Sequence, residues 1–184
     1  MKKILLAAVA GGLIVFASSA VLHLATPLGE AGFQNLPNED VLLPAFSSSI
    51  PSAGLYFFPG MTDRSKEAQE AWAKKAASGP SGMLLYRPSG GEGMTPRELG
   101  GELATNVLAA AIAAFVASLM CAPFGRRVLA ILLLGVFAWL SISASHWIWY
   151  GFPSAFELAE LIEQAVCWLL AGLAIAKIVP RAQG

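Results

Sequence analysis

Two histidines and three glutamates are the residues of this sequence whose types and spacing best suit chemistry. They are His23, His146, Glu102, Glu160 and Glu163. Imidazole and carboxylate groups are ligands for zinc, iron or manganese, and the same groups can pass protons. All five lie inside or beside long apolar stretches, where a charged group without a partner is costly. The elements that carry them decide whether they meet.

Those elements are helices of a membrane protein. Hydrophobic residues make up 56% of the 184 residues and charged residues 13%, which is more apolar than a soluble domain. Four segments approach the roughly 20 residues that a helix needs to cross the hydrocarbon of a bilayer. We predict an all-α membrane protein, a four-helix transmembrane bundle, with helices over residues 4–24, 96–122, 128–149 and 154–179.

Six basic residues and no acidic residue flank these segments on one side of the membrane, while the other six basic residues belong to the opposite side. The six flanking residues are Lys2 and Lys3 before the first helix, Arg126 and Arg127 in the turn between the second and third, and Lys177 and Arg181 at the end of the fourth. All twelve acidic residues belong to the other side. Because basic flanks stay in the cytoplasm, we expect both termini inside, residues 25–100 outside, and a location in the bacterial cytoplasmic (inner) membrane.

The first segment has an alternative interpretation. "MKK", an apolar stretch and then "FASSA" are typical of a secretory signal peptide with a small-residue cleavage site. The apolar stretch of residues 4–24 is longer than the roughly 7 to 15 residues usual in a signal core. We therefore favour a retained helix, while cleavage would leave three transmembrane helices.

Residues 25–95 are patterned enough to fold, and we predict a small α/β extracytoplasmic domain between helices 1 and 2. Two apolar runs bounded by glycine and proline, residues 55–58 and 83–86, predict buried strands. Residues 63–77 between them favour a helix. A shorter helix is expected over residues 36–46, capped by Asn38 and broken or restarted at Pro44.

Two sequence signatures mark where membrane helices begin on the outer side. Thr95 with Glu98, and Ser154 with Glu157, have the Ser/Thr-x-x-Glu spacing of a capping box. A third signature concerns packing: small residues recur every four positions in the second helix, and Gly11 and Gly12 occur in the first. Such faces let backbones approach closely, so we expect these two helices at the centre of the bundle.

The candidate chemical residues share one depth. Counting along each helix at about 1.5 Å per residue from the basic flanks places both histidines and the glutamates of the fourth helix near the outer boundary. In one hypothesis His23, His146, Glu160 and Glu163, with Glu102 as a further neighbour, converge on a metal or proton site. A narrower form has both histidines bind one b-type haem.

The alternative is that this polar layer has no ligand. Glu157 is then a capping residue, Glu160 interacts with the positive end of the helix, and the histidines only form hydrogen bonds there. Two cysteines are too few for a disulfide framework. On this interpretation no cofactor is expected.

Our preferred functional prediction is a non-enzymatic accessory or interaction subunit, whose partners are the lipid bilayer and another protein or a second copy. The twelve basic and twelve acidic residues cancel, so no cationic surface suits a nucleic acid. Aromatic residues are where we expect a partner or lipid contact: Tyr56, Phe57, Phe58, Trp72, Trp147 and Trp149. The competing prediction is a membrane enzyme or carrier that uses the outer His/Glu layer.

Overall fold

The computed structural model describes residues 1–91 and 93–182. Its elements are α1 (Lys2–Ala25), a 3₁₀ turn (Pro27–Glu30), α2 (Glu39–Ser49), β1 (Gly54–Phe58), α3 (Lys66–Ser78), β2 (Gly82–Tyr86), α4 (Pro96–Ser118), α5 (Phe124–Ala138), a π turn (Trp139–Ser143), α6 (Ala144–Tyr150) and α7 (Ser154–Ile178). They form two compact units. The helical unit is Met1–Phe33 with the chain from Met94 onwards, and the α/β unit is Gln34–Gly93.

Among the described residues, four helices of the helical unit are long and apolar enough to cross a membrane. They are Lys2–Ala25, Pro96–Ser118, Phe124–Tyr150 and Ser154–Ile178, of which the third joins α5, the π turn and α6. The predicted set of four apolar helices is confirmed. The first capping box is also confirmed, because Thr95 Oγ1 accepts from the N–H of Glu98 while the Glu98 carboxylate accepts from the N–H of Thr95.

The predicted turn between the second and third helices is wrong in one respect. Arg126 and Arg127 lie in the first turn of α5, because Pro123 has the fixed φ of −64° and starts the helix directly. Arg127 is only 2% exposed, and its Nη2 donates to the carbonyl of Val179 at 2.8 Å. That carbonyl follows the end of α7, where unpaired carbonyls attract cations. Arg127 therefore caps α7.

The basic flanks gather at one end of the bundle. Lys2, Lys3 and Arg181 line the same shallow depression as Ser118, the last residue of α4. Arg127 joins them through its bond to the chain just before Arg181. We call this the basic end, and we call the opposite end, where the first turns of α7 carry Glu157, Glu160 and Glu163, the acidic end.

Small residues hold α1 between α4 and α7. A side-chain carbon added at Gly12 would lie 2.6 Å from the backbone Cα of Val107 in α4, and one at Gly11 would lie 2.8 Å from Ile175 in α7. The facing stripe of α4 is buried alanine: Ala110, Ala113, Ala114 and Ala117. The predicted close approach of the first two helices is present, because glycine on α1 and the alanine stripe on α4 leave room for the two backbones.

α5 packs along α7 and is joined to it near the acidic end. The indole Nε1 of Trp139, the first residue of the π turn, donates to the carbonyl of Glu157 at 2.9 Å. Gly135 leaves room for the indole of Trp168, since an added carbon would lie 2.4 Å from the ring. α4 touches α5 only slightly. The bundle is therefore tightly packed around α1 and α7 and looser between α4 and α5, so the prediction that the second helix (α4) lies at the centre with α1 is wrong: α7 takes that place.

The α/β unit has the predicted strand, helix, strand order. β1 and β2 pair antiparallel, with Tyr56 opposite Leu84. The Trp72 indole of α3 donates to the carbonyl of Pro59 at 3.0 Å, and the rings of Phe46 and Tyr86 meet edge to face at 6.3 Å. These contacts attach both helices of the unit to the two-stranded sheet.

Three details of this unit differ from the prediction. The strands are not buried: Leu55 and Leu85 are 54% and 71% exposed, because a two-stranded sheet has too little partner surface within the unit. α2 runs through Pro44, and Asn38 has a left-handed φ of 53° and forms no side-chain cap. α3 begins after Ser65, because Asp63 accepts from the N–H of Ser65 in a turn; that hydrogen bonding lowers the pKa of Asp63.

We predict that Gly12→Ala destabilises the purified protein. The new methyl group meets the α4 backbone, which cannot move aside like a side chain, so overpacking should cost about 1–3 kcal/mol. Gly101→Ala in α4 is the matched control, because nothing lies within 4 Å of its added carbon. Thermal unfolding in detergent should show a lower Tm for Gly12→Ala and an unchanged or higher Tm for Gly101→Ala. Equal Tm values would contradict the packing described here.

Candidate metal site at the acidic end

The Glu163 carboxylate is held by two residues of α1. Ser19 donates from Oγ to Oε1 of Glu163 at 2.6 Å, and His23 Nδ1 lies 3.3 Å from Oε2. The side chain of Glu163 is 15% exposed and that of His23 is 47% exposed. Ser19 and His23 are four residues apart, so successive turns of α1 present both to α7. The predicted need of Glu163 for a partner is met by this pair.

His23 is also oriented by its own helix. Its Nδ1 lies 3.2 Å from the carbonyl of Ser19. With hydrogen on Nδ1, the imidazole donates towards that carbonyl, and Nε2 keeps its lone pair. Histidines that bind metals are commonly oriented in this way, by a carbonyl or a carboxylate at the other ring nitrogen.

Glu160 completes a group of three with His23 and Glu163. One ligand atom from each lies within 4.8 Å of the other two. A tetrahedral ion with bonds of about 2.1 Å keeps its ligand atoms about 3.4 Å apart. Small side-chain rotations would therefore bring these groups to metal-binding distances. Three protein ligands leave a coordination position for water or a bound molecule.

His146 has different neighbours from His23. Its ring stacks on Phe152 with centroids 5.4 Å apart, and it interacts electrostatically with Glu157. Among the described residues it does not belong to the group formed by His23, Glu160 and Glu163. The structure thus brings together three of the four predicted metal ligands. Binding of one haem by both histidines stays a prediction.

The helical rotation of α7 explains why the two histidines have different neighbours. Glu157, Glu160 and Glu163 are three residues apart, so each points about 60° further round the helix and the first and last differ by about 120°. Glu157 faces the span that contains Trp139 and His146, whereas Glu163 faces α1. The position along the helix axes places both histidines in one layer. The angle round α7 at which its glutamates point places the two histidines on different sides of that helix.

Glu157 is not the capping residue that the sequence suggests. α7 begins at Ser154 with Pro153 before it, and no side-chain cap forms. Glu157 is 0% exposed, and in the described part of the chain neither carboxylate oxygen has a hydrogen-bond partner. Pro153 has no hydroxyl with which to cap the helix. The hydrogen bond from the Trp139 indole to the Glu157 carbonyl holds Glu157 against the π turn.

Glu102 lies in the wall of a neighbouring cavity. Its carboxylate accepts from the Asn106 amide at 3.1 Å, one helical turn away on α4. The cavity has a volume of about 350 Å³, and Glu163 also lines it. Within the residues that the structure describes, Glu102 is not part of the His23 group.

Ser19 is the site residue that the sequence analysis missed. Its position four residues before His23 was the available signal, because serine and histidine at that spacing share one face of a helix. The π turn at Trp139 was also missed; such turns occur frequently at functional sites, but no residue type announces them.

The chain matches no known family model, no curated protein and no solved structure at a significant level.

We predict that Glu157→Met raises the stability of the protein. A buried carboxylate without hydrogen bonds is unfavourable, and an apolar side chain of similar size should recover about 1–3 kcal/mol. Glu30→Met, at an exposed position, is the matched control. Thermal unfolding should give a higher Tm for Glu157→Met and little change for Glu30→Met. A lower Tm for Glu157→Met would show that the carboxylate has a stabilising partner.

Proposed function

We propose that this chain is a multi-pass protein of the bacterial inner membrane, with both termini in the cytoplasm and residues 25–100 on the outer side. The gathering of Lys2, Lys3, Arg127 and Arg181 at one end of the bundle supports this orientation. The close packing of α1 between α4 and α7 supports its retention as a membrane helix. The acidic end then lies near the outer surface of the bilayer.

The function that the geometry supports best is the binding of a divalent transition-metal ion at this acidic end. The observation that carries the proposal is the convergence of His23 from α1 with Glu160 and Glu163 from α7, with ligand atoms within 4.8 Å. One imidazole and two carboxylates suit zinc or manganese, and the exposed His23 gives an ion access to the site.

The charges of this site favour a bound divalent metal ion over an ion pair between His23 and one carboxylate alone. Glu160 and Glu163 repel each other, and His23 alone can offset one charge at most. Neighbouring carboxylates interact strongly where the bundle excludes water. A divalent cation neutralises both, and its removal would leave one of them uncompensated.

A second candidate function is the accessory or interaction subunit. The observation that favours it is one face of the two-stranded sheet in the α/β unit, where Leu55, Phe57 and Leu85 are exposed. Monomeric soluble domains rarely expose such residues in a group, and exposed apolar groups often mark contacts with a protein or a membrane. The partner on this hypothesis is another protein or a second copy of the chain. The metal site would then have a structural role.

Zinc binding to the purified full-length protein tests the metal site. After treatment with a chelator, isothermal titration with zinc chloride should show one site per chain. His23→Ala should weaken binding about a hundredfold or more, because it removes a ligand. His146→Ala is the matched control and should bind zinc as the wild type does, since its ring lies among other residues.

Two results would contradict this proposal. One is a wild-type protein that takes up no zinc or manganese. The other is a His23→Ala variant that elutes as a folded protein in size-exclusion chromatography and still binds zinc with wild-type affinity. Loss of binding in His146→Ala alone would place the metal at the other histidine.

A further inference from the structure

A cavity that is half open to the outside of the bundle lies beside the acidic end. It has a volume of about 350 Å³ and is lined by residues of α1, α4, α5 and α7. This volume is within the range of roughly 300–1,000 Å³ that small-molecule sites occupy. Since α4 touches α5 only slightly, the cavity is placed where the bundle is loosest. A molecule dissolved in the bilayer could enter between these helices.

The polar part of the cavity wall is negatively charged. Glu102 and Glu163 both line it, and no lysine or arginine does so in the described part of the chain. Glu102 accepts from the neutral amide of Asn106, while Glu163 accepts from the neutral hydroxyl of Ser19 and also lies 3.3 Å from Nδ1 of His23. One histidine can offset one carboxylate charge at most, so the wall with both glutamates is complementary to a cation.

The rest of the wall is apolar and includes one aromatic ring. Ile112, Leu134 and Ala138 contribute aliphatic surface, and the indole of Trp168 lies beside them. Its Nε1 donates to Oε1 of Gln164 at 3.0 Å, which fixes the ring, and Gly135 provides the space that the ring occupies. Aromatic rings attract organic cations, and aliphatic surface holds their apolar parts.

We propose that this cavity binds a small amphipathic organic cation, with an ammonium head near Glu102 and Glu163 and a short apolar tail against Leu134 and Trp168. Charge complementarity selects the head, and the mixed wall selects an amphipathic molecule over an inorganic ion. The cavity and the metal site share Glu163 but differ in every other residue that binds. The proposal therefore does not depend on metal binding.

Benzyltrimethylammonium is a suitable probe, because it combines a fixed positive charge with one aromatic ring. Isothermal titration of the chelator-treated full-length protein in detergent should show saturable binding. Glu102→Gln should weaken it about tenfold or more, because it removes one of the two charges. Glu30→Gln, at an exposed site outside the cavity, is the matched control and should bind as the wild type does.

A neutral probe tests the role of charge without any substitution. Benzyl alcohol should bind far more weakly than the cation. Equal binding of both probes would overturn the proposal, because it would show an apolar cavity that takes up lipid or detergent. Absence of saturable binding of the cation by the wild type would overturn it as well.

The two sites can be distinguished by their variants. His23→Ala should lose zinc without weakening the binding of benzyltrimethylammonium, since His23 does not line the cavity. Glu102→Gln should bind zinc as the wild type does. If Glu102→Gln, folded as judged by its Tm, retained wild-type affinity for the cation, the assignment of the head group to this carboxylate would be wrong.

Discussion

In its described residues the helical unit has four helices long and apolar enough to cross a membrane, and its architecture fits one constraint, which is that hydrocarbon cannot hydrate a charged side chain. The helical unit satisfies it by keeping its charges at two ends. At one end the buried Arg127 caps the last carbonyls of α7, close to the other basic flanks. At the other end α7 carries Glu160 and Glu163, and α1 supplies His23 as their partner. The apolar, small-residue surfaces between these ends bring the helices together.

α7 is the element that connects the packing to the candidate chemistry. It contacts both α1 and α5 along its length, and its three carboxylates point in successive directions round the helix. Glu163 meets the polar residues of α1, Glu157 is enclosed near the π turn, and Glu160 lies between them. The metal site, the buried carboxylate and the cavity are thus consequences of one helix and its rotation between two neighbours.

Much of the fold could be predicted from local signals. Hydropathy and helix length identified the four apolar helices, and the Thr95 capping box identified the start of α4, because these signals depend on residues near in sequence. The capping box predicted at Ser154 did not form, because Pro153 stands before the first residue of α7 and offers no hydroxyl. Glu157 is instead bound through its backbone carbonyl by Trp139, which lies 18 residues earlier in the sequence. Contacts with residues distant in sequence, such as that of Trp139 with Glu157, cannot be predicted from a motif of four neighbouring residues.

The candidate site was predicted in part for a related reason. Counting residues gives depth, and depth correctly placed Glu160 and Glu163 beside His23. The count of residues contains no information on the angle at which each side chain points, so it could not predict that His146 lies near Glu157. It could not reveal the cavity either, because the cavity depends on the relative positions of four helices. In the α/β unit, apolar composition predicted the strands but not their exposure, which depends on how many layers cover them.

The proposed orientation places the basic end in the cytoplasm, and cysteine labelling tests this directly. Cys121, between α4 and α5, is exposed, whereas Cys167 is buried. A membrane-impermeant maleimide should label Cys121 in inverted vesicles and leave it unlabelled in intact spheroplasts. A cysteine at position 89, introduced as Ser89→Cys with Cys121→Ser, should show the reverse pattern. Labelling of Cys121 from outside the spheroplasts would contradict the orientation and move the acidic end to the cytoplasmic face.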